Sequence, residues 1–566
     1  MTEKRRKSVG SEFSGAKVME SIPSNVPRGL RTMVVAIAVV LLTGTATAQT
    51  PASGSEPTFD PGTQADRAAL FDFLVESTMA WDAFASLPDH PYYRSHPKGI
   101  DVLENMRRYR DELIAADTDE KLWFALWKIS NARKDTHLRV VPVEGGLVVP
   151  EYLQNDVHAP VRFAVDYSDL DDRFFFVADL ATDIERRAEG PSPALGDRVV
   201  GINGKSAEAY VEAIRPYRRY STENNFWWRL ANDLNRTRDF VPRDEFHGDF
   251  FRLVMERADR TRYETVLPYL SSAEIEWQGH AEREYPGFTR VPELSDNETF
   301  ALYLPDGDLP VVLLQWHGFR PDLPEAIDAL MEYAEANGLL DHNVILDATR
   351  SGGGSRGAYA VQRIQPRPFR TTFGNLMVSE AMERWVEDRI QGIRSDPASA
   401  RETVDGGNWL LEWLEDDVQR AIDAGSRYTN DVPFKGAHAP KWSDGIIDPA
   451  PVHFRGELTV WMSSHSGSHK DQFASQIADN DLGHMMGMSA GGFSNTWQTT
   501  EVLRFPTNGA PIVEYMWSMG HSIRPNREIL QYNPAEVDEY IPQTRDNYFD
   551  YHPDLLRRTL RRLGLD

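Results

Sequence analysis

Val344-Ile-Leu-Asp-Ala-Thr-Arg-Ser-Gly-Gly-Gly-Ser355 is an apolar strand pattern that runs straight into three consecutive glycines. A second strand pattern, Leu458-Thr-Val-Trp-Met462, runs into Ser463-Ser-His-Ser-Gly-Ser-His-Lys-Asp471 and then a helical pattern. A glycine loop at a strand end can bare backbone N–H groups. A serine that opens a helix after another strand can be a nucleophile. Together they imply a geometry suited to acyl transfer, with an oxyanion held by backbone donors.

Working outward, Val311–Gln315 reads as a strand and Leu323–Asn337 as a helix, with Ile327, Leu330 and Ala334 on one face. A final helix is expected from Pro553 to Leu563. Residues 291–566 therefore read as an α/β core. Residues 370–450, rich in charge and carrying Trp385, Trp409 and Trp413, read as a mostly helical insertion over it. Upstream, 65–137 carries helical spacing in Leu70, Phe71, Leu74 and Met79 and again in Leu122, Ala125, Leu126 and Ile129. Residues 138–290 mix short strands and loops. Their sharpest signal is Leu195-Gly-Asp-Arg-Val-Val-Gly-Ile-Asn-Gly-Lys205, apolar positions leading into an Asn-Gly turn. This run resembles the corresponding segment of PDZ domains.

The chain has 566 residues, enough for several domains. Arg28 and Arg31 precede Met33-Val-Val-Ala-Ile-Ala-Val-Val-Leu-Leu42, and Ala46-Thr-Ala48 closes the segment. Residues 1–48 thus read as a secretory signal, too short in its apolar run to span a bilayer. A Pro/Ser/Gly-rich linker, 49–64, follows. Export to a periplasmic or extracellular compartment is the expectation, with no stable membrane insertion. Removing 1–48 moves the formal charge from −25 to −29, since that segment holds 7 Lys/Arg and 3 Asp/Glu. Such an acidic chain repels nucleic acid. The chain has no cysteine, which excludes disulfides and thiol catalysis. The fifteen histidines show no metal-ligand spacing and the glycine runs no phosphate-loop pattern, so no metal or cofactor is expected.

In chain order there are a helical segment ending in Asp135-Thr-His137, the PDZ-like run, the strand with its glycine loop, the strand–serine–helix unit, and a closing Gly520-His-Ser-Ile-Arg-Pro525. This order resembles the tail-specific (C-terminal processing) and tricorn-type serine peptidases, closer to the histidine-using tricorn-like branch. The resemblance covers roughly residues 65–566. It implies an α/β multidomain chain with an N-terminal helical domain, a PDZ-like β domain and a crotonase-like ββα-spiral peptidase core, acting on polypeptide substrates. The family's Ser-x-x-(Asp/Glu) helix start falls on Ser468-His-Lys-Asp471, making Ser468 the nucleophile. The alternative role for Ser468 is a helix cap. The His469 N–H at the helix start and a glycine N–H, at Gly352 or Gly353, would form the oxyanion hole.

Tail-specific peptidases use a lysine about 25 residues after the serine. None follows Lys470 here, and Phe493 lies near that place. Lys470 sits at i+2 from Ser468, off its helix face. The tricorn-like branch instead uses a histidine in an Asp-(Ser/Gly)-His context, which matches His137, with Thr136 beside it. The glutamate that orients it has no clear counterpart: Glu514 falls early and Glu528 late. Two rivals stand beside this reading. One is a non-catalytic PDZ-like peptide-binding protein on the same scaffold. The other is an esterase using Gly487-Met-Ser489-Ala-Gly491 as a nucleophile elbow, with Glu514 and His521 in order behind it and His317-Gly318 as oxyanion loop.

Overall fold

A computed structural model describes residues 59–85, 101–150, 157–236, 241–246, 248–280, 283–294, 297–396, 409–433, 445–495 and 497–565. The signal-like segment 1–48 and most of the 49–64 linker lie outside the described residues. Helix α1 (Gln64–Trp81) starts at a reciprocal cap: Thr63 accepts from the Asp66 N–H, and the Asp66 carboxylate takes the Thr63 N–H. It buries Leu70, Phe71 and Leu74, but Met79, expected on the same face, is exposed near the helix end. Helix α2 (Asp119–Asn131) is capped by Thr118 and buries Leu122, Ala125, Leu126 and Ile129, the face its periodicity marks. Two residues separate His137 from a short strand, Val140–Pro142.

Six strands then form an antiparallel sheet, five of them in sequential order: β1 (Val161–Asp166), β2 (Phe174–Leu180), β3 (Arg198–Ile202), β4 (Phe250–Glu256) and β5 (Arg262–Pro268), with the two-residue strand Lys205–Ser206 pairing off β3. The Asn-Gly turn after β3 forms as its residues require. Asn203 and Gly204 both take positive φ, 46° and 81°, and Lys205 folds back on Ile202. Between β3 and β4 lie α3 (Ala207–Ile214) and α4 (Glu223–Asp233). The aromatic, asparagine-rich sequence of α4 gives no clean helical period; Thr222 caps it by accepting from the Asn225 N–H.

The largest sheet of the remaining residues has seven strands. Its strands are β6 (Phe288–Arg290), β7 (Phe300–Pro305), β8 (Val311–Trp316), β9 (Asn343–Asp347), β10 (Leu458–Met462), β11 (His484–Gly487) and, at the far edge, Glu539–Tyr540. From β8 onward neighbours are parallel, and α5 (Leu323–Ala336) crosses from β8 to β9. Val344, Ile345 and Leu346 are fully buried, which is why β9 reads as an unbroken apolar run. Asp347 stands beside Trp461, and the Ala348 N–H donates to the Trp461 carbonyl at 2.9 Å. The loops leaving β9 and β10 therefore emerge side by side.

The 370–450 segment is less purely helical than its composition implies. Phe373–Leu376 pairs antiparallel with a later strand, Gly520–Ile523, before helix α6 (Glu380–Ser395) begins. Trp385 and Trp413 pack against Trp497. Trp409's side chain and residues 397–408 and 434–444 lie outside the described residues. The last helix, Tyr551–Arg562, lies on the sheet where a helix is expected, starting two residues earlier.

Candidate active site

Ser468 is the N-cap of helix α7 (His469–Ala478), yet its side chain makes no capping bond. Its backbone sits at φ 60° and ψ −124°, a region non-glycine residues seldom occupy. The hydroxyl is half-buried and has no hydrogen-bond partner among the described residues. The alternative role, a capping serine, is therefore not the geometry found.

The glycine loop closes on this hydroxyl. A methyl group added to Gly353 would lie 2.7 Å from the Ser468 Cβ and 3.2 Å from its Oγ, so only glycine fits there. Of the two glycine N–H candidates, Gly352 is already committed, donating to the His317 carbonyl at 2.9 Å. The Gly353 carbonyl accepts from Phe319, while its N–H has no partner among the described residues. His469 is the first residue of the helix; its ring is buried, and Nε2 accepts from the Gly357 N–H at 2.6 Å.

Asp471 clamps the other side. Burial pushes its carboxyl up, and the carboxylate accepts from the N–H groups of Gly492 and Phe493, both at 3.0 Å. The Phe493 carbonyl in turn takes the Ser468 N–H at 2.5 Å. The Phe493 ring meets the His137 ring edge-on, with centroids 5.2 Å apart. One residue thus touches both the serine and the histidine. Phe493, near the family lysine's place in sequence, packs the site instead.

His137 is delivered by the segment 133–142. Val140–Pro142 pairs with β12 (Pro511–Ser518), placing Val140 beside Tyr515. Asp135 is fully buried; its Oδ1 accepts the His137 N–H at 2.9 Å and lies 3.8 Å from Nδ1, and its Oδ2 accepts from Ser518 Oγ at 3.2 Å. Burial raises Asp135 to about 7. Neither Glu514, which stands in a strand opposite Val141 and Val502, nor Glu528, which accepts from Asn526 and Asn533, has a bond to His137 among those described. Asp135, inside the motif itself, is the carboxylate beside the ring. Thr136 turns toward Ser221, which accepts from Gln531, and Gln531 accepts from the Ser494 and Asn495 N–H groups.

Lys470 is fully buried, and burial lowers its pKa. Its ammonium donates to the Ser463 and His465 carbonyls at 3.1 and 2.7 Å, so it fixes the loop rather than facing Ser468. Ser489 follows a true strand, β11, but no helix comes after it: 488–495 is irregular. Its carbonyl accepts from Ser464, and His521 pairs with Asn375. The strand–turn–helix an elbow requires is missing at Ser489 and present at Ser468. His317, the rival oxyanion residue, spends its carbonyl on Gly352.

A second network holds the glycine loop, which sequence reading missed because its members are far apart. Asp347 Oδ1 accepts from the Thr349 N–H and hydroxyl at 2.8 and 2.5 Å; Oδ2 accepts from Tyr285 at 2.5 Å and faces Arg283 at 3.4 Å. Burial alone would raise Asp347; the His552 and Arg283 charges and the two hydroxyls hold it down to about 2. His552 Nε2 lies 3.0 Å from the Thr349 hydroxyl, and Ser463 Oγ donates to the Thr349 carbonyl.

Solved structures share this architecture. The chain aligns with mature CPAF at a TM-score of 0.61 and 13% identity, covering 88% of this chain and 96% of that one. It aligns equally with mature CPAF complexed with lactacystin, at 0.61 and 13%, covering 89% and 99%. A serine-to-alanine mutant of CPAF aligns at 0.59 and 12%, covering 88% and 96%. No family model and no curated protein sequence matches the chain. The chain is a mixed α/β multidomain protein with the CPAF fold.

Proposed function

We propose that this chain is an exported serine peptidase of the tail-specific and tricorn type, cleaving polypeptides through Ser468 and His137. The observation that carries this reading is the strained, unbonded Ser468 hydroxyl opposed to Gly353. His137 accepts the hydroxyl proton as Oγ attacks the scissile carbonyl. The Gly353 and His469 N–H groups hold the oxyanion, each such donor contributing about 3 kcal/mol. The proton passes to the leaving amine, and water then hydrolyses the acyl-enzyme. Asp135 orients the imidazole. The six-stranded sheet with α3 and α4 serves as the PDZ-like module that presents substrate, on the crotonase-like core.

Reaction with a fluorophosphonate tests the assignment. Ser468→Ala abolishes labelling and peptide hydrolysis, whereas Ser489→Ala retains both. Labelling that persists in Ser468→Ala overturns the assignment. C-terminal peptide binding without any turnover would instead support the non-catalytic alternative. Export is tested by N-terminal sequencing of secreted material, expected to begin near Gln49.

A further inference from the structure

Arg350 stands in the glycine loop, between two fixed points. Thr349 before it is pinned by Asp347, Ser463 and His552, and Gly352 after it by the His317 carbonyl. Ser351 is fully buried, while Arg350 is only half-buried. Its guanidinium has no hydrogen bond or ion pair among the described residues. This is unusual in its setting. The chain holds 86 Asp and Glu against 61 Lys and Arg, so a carboxylate partner is easy to supply. Neighbouring arginines have one: Arg283 pairs with Asp347 and Arg320 with Glu298.

The surroundings are cationic. His465, three residues before Ser468, is pushed well down by burial and then by Lys470, Arg350, Arg283 and Arg229. Its ring packs on Trp228 of α4, with centroids 4.2 Å apart, and Asn225 of the same helix donates to the Ser464 carbonyl at 3.1 Å. The loop that leads into the nucleophile thus packs on α4, and Arg350 lies close enough to that loop to act on the His465 ring. A rigid backbone that presents an unpaired guanidinium is a preorganised anion site.

We propose that Arg350 is a specificity-determining residue, receiving a substrate carboxylate within a few residues of the scissile bond. This rests on the peptidase reading of Ser468. The carboxylate comes from an Asp or Glu side chain or from the substrate's C-terminus. The strongly acidic surface disfavours long acidic runs at a distance, so selection is for one local carboxylate.

The test measures kcat/KM for peptides carrying Glu, Gln or Lys at each of three positions on either side of the cleaved bond, with free or amidated C-termini. Arg350→Gln, Arg350→Glu and Arg350→Lys are compared with the unaltered chain, and melting curves check that each folds. We expect at least one carboxylate-bearing peptide to exceed its amide counterpart by about tenfold. Arg350→Gln removes that ratio, Arg350→Glu shifts it toward Lys, and Arg350→Lys retains part of it. Dependence on an internal Glu identifies the side chain as the source; dependence on the free terminus identifies the terminal carboxylate. A ratio near one, or one unchanged in Arg350→Gln, overturns the subsite alone. No turnover across the set overturns the inference, and absence of fluorophosphonate labelling overturns the peptidase reading as well.

Discussion

Ser468 carries a backbone conformation that normally raises the energy of a non-glycine residue by about 1–3 kcal/mol. Strain of this size persists because Asp471, Phe493 and Gly353 fix every side of the turn. Gly353→Ala is therefore expected to abolish phosphonate labelling while circular dichroism shows the fold retained, since its methyl would meet the Ser468 side chain directly. Asp135 makes a different prediction. Its folded pKa of about 7 lies above the roughly 3.9 of an unfolded aspartate. The native state thus binds more protons between those values, and stability falls as pH rises through that window. Asp135→Asn removes this loss: it is expected to melt higher than the unaltered protein at pH 8 and with little difference at pH 4. Its kcat should fall about tenfold to a hundredfold, less than loss of the base itself. Equal melting shifts at both pH values would refute the raised pKa. The serine, the histidine and the glycine were legible as residues in a chain order. Asp135 was in plain view within the quoted motif, yet proximity of its carboxylate to the ring depends on a turn that sequence spacing does not specify.

At the scale of elements, two parallel strand ends do the positioning. β9 and β10 were legible because strands buried on both faces read as continuous apolar runs. β11 was nearly invisible: Met485-Met486 is a weak strand signal, and its pairing with β10 and with Glu539–Tyr540 makes it one. Helix α4 was missed for a similar reason, its aromatic residues serving a packing role against Phe175 and His465 rather than a helical period. Phe373–Leu376 was hidden because its partner strand lies far along the chain. Long-range pairing decides all three. The same logic makes the β9 end sensitive. Asp347→Asn weakens the grip on Arg283 and leaves one oxygen to serve Thr349 and Tyr285. With a buried acceptor lost, destabilisation of about 1–3 kcal/mol is expected by urea melts. kcat should fall with KM little changed, because the glycine loop and not the peptide groove loses its anchor. A rise in KM alone would argue that Asp347 shapes binding instead.

For the molecule as a whole, the site is complete only when the N-terminal helices sit on the core. His137 comes from the first third of the chain and Ser468 from the last. The junction between them is held by buried polar contacts that no local pattern announces. Arg133 donates to the Met516 carbonyl at 2.6 Å, lies 3.5 Å from Asp82 and stacks over Tyr515 at 4.5 Å. The Tyr532 hydroxyl donates to the Arg133 carbonyl at 2.7 Å, and Ala83 donates to the Ser518 carbonyl at 2.6 Å. Both partners of the Arg133–Asp82 pair are almost fully buried, so removing one strands the other's charge. Arg133→Met is expected to destabilise the protein by about 3–5 kcal/mol. The double variant Arg133→Met/Asp82→Leu should recover much of that stability, since it removes both charges. Activity separates the two roles. If the junction also sets the His137 position, the double variant regains its melting temperature but not its kcat, because Asp135 and Ser518 lose the neighbours that fix them. Full recovery of kcat along with stability would show that the pair holds the fold together without aiming the base.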